Sequence, residues 1–268
     1  MDLAGKTALI TGGGGGIGAG IAEAFIEEGM RVIITDIHLD YAKKEAERLG
    51  SGTIALEHDV TSLESWTTVK QAALKAFDRI DVLCNNAGIS TKRMLLDEMP
   101  PEVFAAVMAV NVTGVYNGIK TFVPDMRVRR SGHVVNVSSM NGLLAHRTYA
   151  TYSASKYAVT AMSEALRGEL APFGIGVSAL FPGLTRSRMS LDPEAGAAPD
   201  VPNPEVLAAN MMEPVWLGRS VVKAIKQNEL YIISHPGHKD QLAARYKAIL
   251  DSFREPSQPG YKPMPMGS

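Results

Sequence analysis

The feature that most restricts how this chain can fold is a glycine run between a strand and a helix near its N-terminus. Five glycines follow the apolar run Lys6 to Thr11, and a helical pattern from Ala19 to Glu28 comes next. Glycines at such a turn let the backbone approach a pyrophosphate, and the free N–H groups of the helix N-terminus face its charge. A glycine run could also be a flexible loop, so its neighbours must decide.

The neighbours favour a dinucleotide site. A second strand, Arg31 to Thr35, ends at Asp36, eighteen residues past Gly18. An acidic side chain there accepts hydrogen bonds from the adenosine ribose and would repel a 2′-phosphate. The next residues, Ile37 and His38, include no arginine or lysine, and neither does the glycine run. NAD is therefore favoured over NADP.

Strands and helices alternate along the chain. Further strand patterns cover residues 53–57, 82–84, 133–137, 175–181 and 230–233, and helical patterns cover 40–49, 62–78, 102–121, 152–171, 215–227 and 239–253. This order predicts an α/β fold with a mostly parallel, doubly wound sheet of seven strands, in one domain from residue 1 to 253. Functional residues are expected at the carboxyl ends of the strands, where Asp59 and Asn85-Asn86-Ala87-Gly88 lie.

Composition excludes several classes of protein. The 268 residues carry a net charge of −1, so we expect no basic surface that would bind nucleic acid or an anionic membrane. No run approaches the roughly 18 apolar residues of a membrane span, and no signal peptide is evident. The single cysteine, Cys84, excludes an internal disulfide and suits a reducing compartment. We expect a cytoplasmic protein with Cys84 in its core.

A second group of residues lies between Ser139 and Lys156. Tyr152 and Lys156 are four residues apart on a helical pattern, so their side chains share one face. A phenol titrates at about pH 10, and a nearby ammonium favours the phenolate and lowers that pKa. Ser139 follows the strand 133–137, so a loop could bring its hydroxyl back beside Tyr152. These residues offer an acid/base, a charge that tunes it and a donor for a substrate oxygen.

Two polar residues allow both a structural and a functional interpretation. Asp59 could cap the following helix or bind the adenine amine. Asn111 lies between Val110 and Val112 on an apolar helix and costs stability unless it is hydrogen-bonded. It is either a satisfied core amide or the centre of a kink or water site near the catalytic group.

Residues 184–214 are dotted with prolines and lack steady periodicity, apart from a short helical pattern at 204–212. A long segment beside a site is usually a lid or binding loop. Arg186 and Arg188 within it could attract an acidic substrate, contact a cofactor phosphate or lie in solvent. Its apolar residues either line a hydrophobic pocket or pack the lid onto the domain; they are Leu184, Met189, Leu191, Met211 and Met212, with Val215 and Trp216 just beyond.

Several other residues have less specific signals. His146 and Tyr149 precede the Tyr152 helix, where substrate walls are expected. His235 and His238 flank a Pro-Gly turn with no third ligand, which predicts a solvated loop and no metal site. Residues 254–268 contain four prolines and two glycines and predict an extended tail.

The ordered set of motifs resembles the short-chain dehydrogenases/reductases. It runs from Lys6 to about Ser252 and comprises Thr11-Gly12-x-x-x-Gly16-Ile17-Gly18, Asp36, Asp59, Asn85-Asn86-Ala87-Gly88, Asn111, Ser139, Tyr152-x-x-x-Lys156 and Pro182-Gly183. The resemblance implies a Rossmann-type fold, hydride transfer with nicotinamide, and a homotetramer or dimer built partly on the Asn111 and Tyr152 helices. It also implies that Tyr152 is the acid/base, Ser139 polarises the carbonyl, and Asn111 holds a water in a proton relay. Lys156 would bind the nicotinamide ribose and lower the Tyr152 pKa.

The same resemblance implies sets of ligand contacts. The residues expected to bind NAD are Gly12, Gly15, Gly16, Ile17, Gly18, Asp36, Ile37, Asp59, Val60, Asn86, Ala87, Gly88, Tyr152, Lys156, Pro182, Gly183, Thr185 and Ser187. Those expected to contact substrate are Ser139, Asn141, His146, Tyr149, Tyr152, Gly183 and Met189. Where the family has a carboxamide-binding threonine after Pro-Gly, this chain has Ser187, so either Thr185 or Ser187 could take that role.

A looser likeness concerns the scaffold. Three stretches resemble the benzylic-alcohol (Cα) dehydrogenases of lignin-type aryl ethers; they are Gly114-Val115-Tyr116-Asn117-Gly118, Thr121-Phe122-Val123-Pro124 and Leu230-Tyr231-Ile232-Ile233. Scaffold positions indicate lineage and say little about the pocket.

We expect an NAD-dependent alcohol dehydrogenase/ketone reductase acting on a hydrophobic, cyclic or aromatic secondary alcohol. A non-catalytic dinucleotide sensor would need the glycine turn and Asp36 but not Ser139, Tyr152 and Lys156 together. A reductase of a sugar or hydroxy acid is a second alternative. A sugar-nucleotide epimerase would need a substantial C-terminal substrate domain, for which the sequence has no room.

Overall fold

Seven parallel strands form one sheet at the centre of the molecule. The computed structural model describes residues 1–191 and 209–254, together with 258, 260 and 262. The strands are β1 Thr7–Thr11, β2 Arg31–Asp36, β3 Thr53–Glu57, β4 Val82–Asn85, β5 His133–Val137, β6 Gly176–Phe181 and β7 Tyr231–Ile233, in the spatial order β3-β2-β1-β4-β5-β6-β7. The predicted α/β fold with a seven-stranded parallel sheet is confirmed.

Helices cover both faces of this sheet. They are α1 Gly16–Glu27, α2 Leu39–Leu49, α3 Leu63–Phe77, α4 Pro101–Met108, α5 Gly114–Arg129, α6 Ala150–Leu170, α7 Arg188–Leu191 and α8 Pro214–Gln227. One apolar cluster includes Phe25 and Leu217, and the other includes Trp66, Phe122 and Met126. β1, β4, β5 and β6 are buried along their whole length, as expected for central strands covered on both faces.

The strand order places a crevice beside β1. This strand pairs with β2 on one side and β4 on the other, so successive connections leave it in opposite directions. In open α/β sheets, ligands bind outside the carboxyl ends of the strands at such a reversal. The glycine run after β1 and the Asn-Asn-Ala-Gly run after β4 both lie there.

One predicted helix differs from the expectation. Instead of ending near Thr121, the helix that starts at Pro101 passes through a π turn at Ala109–Thr113 and continues past Pro124 to Arg129. A proline inside a helix removes one hydrogen bond, but tertiary packing can hold the helix together. Here Phe122 and Met126 are buried with residues of the sheet.

This helical run, Pro101–Arg129, also passes a length and composition test for a membrane span. The expectation that no run approaches the length of a membrane span is therefore wrong by length and composition. Core helices pass the same test, and this run packs on the sheet through Phe122 and Met126, but only 33% of its most apolar stretch is buried in the single chain.

Both described ends of the predicted lid are tied to the domain. Met212 accepts a hydrogen bond from the Arg186 amide at 3.0 Å and donates one to the Leu184 carbonyl at 3.1 Å. We call this pairing the lid neck. Beyond it, Pro214 starts α8 in backbone contact with Gly20 of α1. The predicted helix at 204–212 lies mostly outside the described residues.

Residues from Pro236 onward form a separate unit. Its described helix is α9, Lys239–Leu250, which follows a short 3₁₀ turn at Pro236–His238. Most of the predicted tail, 254–268, lies outside the described residues. The single-domain boundary at residue 253 stays a prediction.

Candidate active site

The glycine turn is held against the end of β4. Gly12 has a φ of +62°, and a Cβ there would come within 2.8 Å of the Ala87 Cα. The Asn86 side-chain amide donates to the carbonyls of Thr11 and Gly12 at 2.8 and 3.0 Å. The Thr11 hydroxyl accepts from the amides of Asn86 and Ala87, both at 3.0 Å. Only glycine fits this approach, which brings two predicted cofactor segments together.

The start of α1 is suited to an anion. Gly15 is its N-cap and supplies no side-chain cap, and no acidic residue lies in the first turn. Gly16 has a φ of +55° and faces Ser187, whose Cβ would lie 2.8 Å from an added side chain. The predicted residues Ile17 and Gly18 belong to the first turn of α1, whose amide groups carry the positive end of the helix dipole.

Asp36 closes the other side of the turn. Its carboxylate accepts hydrogen bonds from the amides of Gly14 and His38, both at 3.1 Å, and the residue is 6% exposed. Ile37, also predicted to touch the cofactor, is 59% exposed. The carboxylate is thus aimed at the turn, as a ribose acceptor requires.

The sequence places no arginine or lysine next to Asp36, but the fold brings one close to it. Arg188, 152 positions along the chain, brings a guanidinium nitrogen to 3.8 Å from the Asp36 carboxylate. Its guanidinium carbon lies 3.9 Å from the centre of the Tyr41 ring. Local sequence around Asp36 could not show this, because the arginine comes from the far side of the fold.

Asp59 and Val60 form the adjoining wall. Asp59 accepts from the amide and hydroxyl of Thr61 at 2.8 and 2.7 Å, whereas Ser62 caps α3 by accepting from the Ser65 amide. The helix-capping interpretation of Asp59 is therefore wrong. Val60 is buried and packs against the Gly114 backbone at the start of α5.

Asn111 is both a satisfied amide and the centre of a kink. It lies fully buried in the π turn, and its side chain exchanges two hydrogen bonds with the Ile89 backbone, at 2.8 and 2.9 Å. Its amide also donates to the Ser155 hydroxyl at 3.0 Å. Asn111 thereby joins the loop after β4 to α6, and π turns of this kind are frequent at functional sites.

The predicted catalytic residues come together beside this amide. Ser139 is buried, accepts from the Asn141 amide at 3.1 Å, and lies close enough to Tyr152 for its hydroxyl to lower the pKa of the phenol. Lys156 lies one turn along α6, with its ammonium 5.6 Å from the centre of the Tyr152 ring. A Cβ on Gly88 would lie 3.2 Å from the Asn111 oxygen and 3.3 Å from the Lys156 nitrogen.

The pKa of Tyr152 differs from the expectation. Although part of its side chain reaches the surface, burial raises the pKa of Tyr152 to about 12, against the lowering effect of the Ser139 hydroxyl. Burial also lowers the pKa of Lys156 to about 8. The Lys156 ammonium donates to the Val137 carbonyl at 2.9 Å rather than to the phenol. The predicted lowering of the Tyr152 pKa by Lys156 is therefore not found among the protein's own groups.

The loop before α6 forms a wall beside Tyr152. The Tyr149 ring lies 6.3 Å from the Tyr152 ring and 5.8 Å from the His146 ring, centre to centre. The Tyr149 hydroxyl is buried without a hydrogen-bond partner. The Arg93 guanidinium lies 5.3 Å from the Tyr149 ring. The sequence did not point to Arg93, because it lies beyond the Asn-Asn-Ala-Gly motif in the loop after β4. The predicted contact Met189 lies half-buried in α7.

The Pro-Gly turn after β6 is braced by a histidine. The Gly183 amide donates to His235 Nδ1 at 3.0 Å, and Nε2 lies 3.3 Å from the Leu184 carbonyl. The Pro236-Gly237 turn and His238 are exposed as predicted, but His235 is half-buried and bonded to the domain. The Pro182 carbonyl accepts from the Met140 amide at 3.0 Å, which ties this turn to the residue after Ser139.

The two candidates for the carboxamide contact have different surroundings. Thr185 is buried, and its hydroxyl donates to the Gly183 carbonyl at 3.2 Å. Ser187 lies against Gly16, and its hydroxyl is 3.0 Å from that of Ser190. Of the two, Ser187 is the residue beside the glycine turn.

These features fit a bound dinucleotide. The uncapped start of α1, the crowded glycine turn and the inward carboxylate of Asp36 suit a pyrophosphate and a ribose. Within the described ranges, no cluster of three His, Cys, Asp or Glu side chains is placed to hold a metal ion. Cys84 is fully buried, and burial raises the pKa of its thiol, as expected of a core residue.

Known proteins share this architecture. A model of the short chain dehydrogenase family matches residues 6–196. A C alpha-dehydrogenase of Sphingobium sp. is 30% identical over 266 residues, covering 94% of this chain and 87% of that protein. A 2,5-dichloro-2,5-cyclohexadiene-1,4-diol dehydrogenase of Sphingobium indicum is 36% identical over 202 residues, covering 74% and 79%.

Two solved structures with a bound dinucleotide are also similar. A short chain dehydrogenase/reductase from Burkholderia phymatum in complex with NAD has a TM-score of 0.84 at 29% identity, covering 98% of this chain and 100% of the other. A short-chain dehydrogenase from Sphingobium yanoikuyae in complex with NADPH has a TM-score of 0.76 at 26% identity, covering 95% and 99%.

Proposed function

This chain belongs to the short-chain dehydrogenase family, and we propose that it is an NAD-dependent enzyme that interconverts a hydrophobic, cyclic or aromatic secondary alcohol and its ketone. The observation that carries the proposal is the convergence of Asn111, Ser139, Tyr152 and Lys156 beside the glycine turn. A dinucleotide sensor would need the glycine turn and the carboxylate of Asp36, but it would not need an acid/base with a polarising hydroxyl beside them.

Each residue has a distinct task in this proposal. Bound nicotinamide supplies the hydride acceptor or donor. Tyr152 takes the proton from the alcohol hydroxyl in oxidation and returns it to the ketone oxygen in reduction. Ser139, close to Tyr152, donates to the same substrate oxygen. Lys156 binds the nicotinamide ribose.

Asn111 holds the shape of the site. Both hydrogens of its amide group are engaged by Ile89 and Ser155, so a water in a proton relay would bind the Asn111 backbone rather than its side chain. Because the pKa of Tyr152 lies at about 12, oxidation should speed up with rising pH as the phenol loses its proton. Ketone reduction should favour lower pH.

Asp36 supports the preference for NAD. Its carboxylate faces the glycine turn, accepts hydroxyl donors and repels a second anion. The test is the ratio of kcat/KM with NAD to that with NADP on one substrate, and a preference for NADP would refute the assignment. Asp36→Ala should weaken the use of NAD and relax the rejection of NADP.

The proposed substrate class is supported by the apolar residues of the lid segment, 184–214, and by two relatives. Met211 is buried and Met212 packs on the core, so these two hold the lid in place. Leu191 and Trp216 are 49% and 57% exposed. Two relatives are named for acting on a C alpha position and on a chlorinated cyclohexadienediol. We infer that this chain takes a hydrophobic ring-bearing alcohol of comparable kind.

A substrate screen tests this class directly. NADH formation at alkaline pH would be measured across benzylic, alicyclic, steroid, sugar and hydroxy-acid alcohols, with Tyr152→Phe as the inactive control. Highest kcat/KM on a benzylic or alicyclic alcohol supports the proposal. Strong selectivity for sugars or hydroxy acids would overturn it and favour the alternative of a polar substrate, for which Arg93 beside Tyr149 is the specific observation.

We also propose that the protein is cytoplasmic and self-associates as a homotetramer or dimer through α4, α5 and α6. Tyr116 and Val128, on the Pro101–Arg129 run, are 50% and 88% exposed in the single chain. Light scattering after size exclusion should give a multiple of 28.7 kDa. A monomer at micromolar concentration would contradict the proposal.

A further inference from the structure

Arg188 occupies an unusual place beside the glycine turn. It comes from α7, after β6, yet its guanidinium lies 3.8 Å from Asp36 and over the Tyr41 ring. A Cβ added to Gly15 would lie 3.6 Å from the same guanidinium. One cation therefore faces three parts of the adenosine end: the turn, the ribose acceptor and an aromatic ring.

The carboxylate that Arg188 approaches is the group expected to reject a 2′-phosphate. At this position of a dinucleotide fold, an acid binds the ribose hydroxyls, whereas a nearby arginine accommodates the phosphate. Here both stand side by side. The guanidinium reduces the negative potential of Asp36, and its planar fork can donate two parallel hydrogen bonds to a phosphate.

The present partners of Arg188 leave it available for such a ligand. Its side chain is 54% exposed, and its 3.8 Å separation from the buried Asp36 carboxylate is too long for a hydrogen bond. The contact with the Tyr41 ring, 3.9 Å from the guanidinium carbon to the ring centre, uses none of the hydrogen-bond donors of Arg188. A phosphate arriving beside Asp36 would thus meet a donor already held at this place.

We propose that Arg188 forms a 2′-phosphate subsite at the adenosine end, so that this protein binds 2′-phosphorylated dinucleotides as well as NAD. The inference rests on the proposed function for the location of the coenzyme. It adds that two residues decide between the coenzymes. Asp36 favours NAD, and Arg188, from the opposite side of the cleft, favours the 2′-phosphorylated form.

Coenzyme binding, measured without substrate, tests the subsite. NADH and NADPH would be titrated by their fluorescence against the unmodified protein, Arg188→Ala, Arg188→Lys and Arg186→Ala. Arg186 is the matched control, because it lies in the same segment but pairs with Glu213 at 2.8 Å. Loss of one charge-assisted hydrogen-bond partner typically weakens binding by about tenfold or more.

We expect Arg188→Ala to raise the ratio of Kd for NADPH to Kd for NADH by about tenfold, since the phosphate partner is lost. Arg188→Lys should raise it less, because the charge stays and the fork is lost. Arg186→Ala should leave the ratio unchanged. An unchanged ratio in Arg188→Ala, or an equal change in Arg186→Ala, would overturn the inference.

A double variant separates this inference from the NAD assignment. If Asp36→Ala improves NADPH binding, adding Arg188→Ala should remove the improvement; a persistent gain would refute a role for Arg188. If the unmodified protein prefers NADPH, the NAD assignment fails. The subsite is then still supported, provided that Arg188→Ala abolishes that preference.

Discussion

The two ends of the site use side chains differently. At the catalytic end, polar side chains bond across the cleft, as Asn111 does with Ile89 and Ser155. At the coenzyme end, the side chain of Asn86 bonds to a backbone turn that only glycine allows, because Gly12 lies against Ala87. Removing polar atoms should therefore damage the first end, and adding atoms to a closely packed glycine should damage the second.

The largest effect is expected from Tyr152→Phe. The ring and its packing stay while the proton-transferring oxygen is lost, so turnover should fall by at least about 10²–10⁴-fold. NADH binding should stay within about twofold, because the coenzyme end is untouched. Tyr116→Phe is the matched control, since this tyrosine is 50% exposed on α5 and lies outside the predicted catalytic and substrate contacts. Near-normal turnover in Tyr152→Phe would refute the assignment of the acid/base.

Lys156→Met should reveal the cost of a buried charge. The pKa of Lys156 is lowered from 10.5 to about 8, so the folded state loses its proton before the unfolded state does. The unfolded state binds more protons between pH 8 and 10.5, and stability due to this group rises with pH across that window. The gain relative to Lys156→Met should be about 3 kcal/mol.

Urea unfolding at several pH values measures this difference, and taking it between the two proteins cancels the titration of Cys84 and Tyr152. Parallel stability curves for the unmodified protein and Lys156→Met would contradict a lowered pKa of Lys156.

Asn111→Ala should cost about 2–4 kcal/mol in the free energy of unfolding, because it removes two hydrogen bonds to the Ile89 backbone and one to the Ser155 hydroxyl. Turnover should fall as well, since the loop after β4 and α6 lose their connection. Asn117→Ala is the control: this buried amide of the same helical run donates to the Val60 carbonyl at 3.1 Å, away from Tyr152. It should lose stability but keep kcat. Equal losses of kcat in both variants would argue against a specific role for Asn111.

The smallest effect is expected where a glycine allows close contact between two helices. Gly20→Ala would place a Cβ 2.2 Å from the Pro214 backbone, so α1 and α8 must separate. Overpacking of this kind costs about 1–3 kcal/mol. Gly168→Ala, with open space around it in α6, should instead stabilise by up to about 1 kcal/mol. Thermal unfolding distinguishes the two, and equal shifts would show that backbone contact does not decide the effect.

The sequence predicted the parts of the molecule that depend on local patterns. All seven strands were expected from apolar runs, and the glycine turn with Asp36 was identified from spacing alone. The fold then brought together Ser139, Tyr152 and Lys156 as expected. A parallel sheet gathers strand ends at one edge, so residues at those ends meet even when they are far apart in sequence.

Contacts made by loops were not predictable in this way. Arg188 reaches Asp36, and His235 reaches Gly183, across distances in sequence that no pattern records. The extension of α5 beyond Pro124 was missed because propensity disfavours it and burial of Phe122 and Met126 outweighs propensity. The pKa of Tyr152 was misjudged because burial depends on the whole fold.

The lid neck allows the chain between α7 and Met212 to vary in length and sequence. Leu184 and Arg186 are hydrogen-bonded to Met212, and Pro214 is packed on Gly20, so the two ends of the segment are already held together by the domain. Closing a loop of twice the length would then cost only about 0.6 kcal/mol more. Inserts of different length and composition can therefore be exchanged between the same two anchors with little penalty to folding. Such a scaffold can take a new insert beyond α7, and with it a new substrate, while Ser187 and Arg188 stay beside the glycine turn.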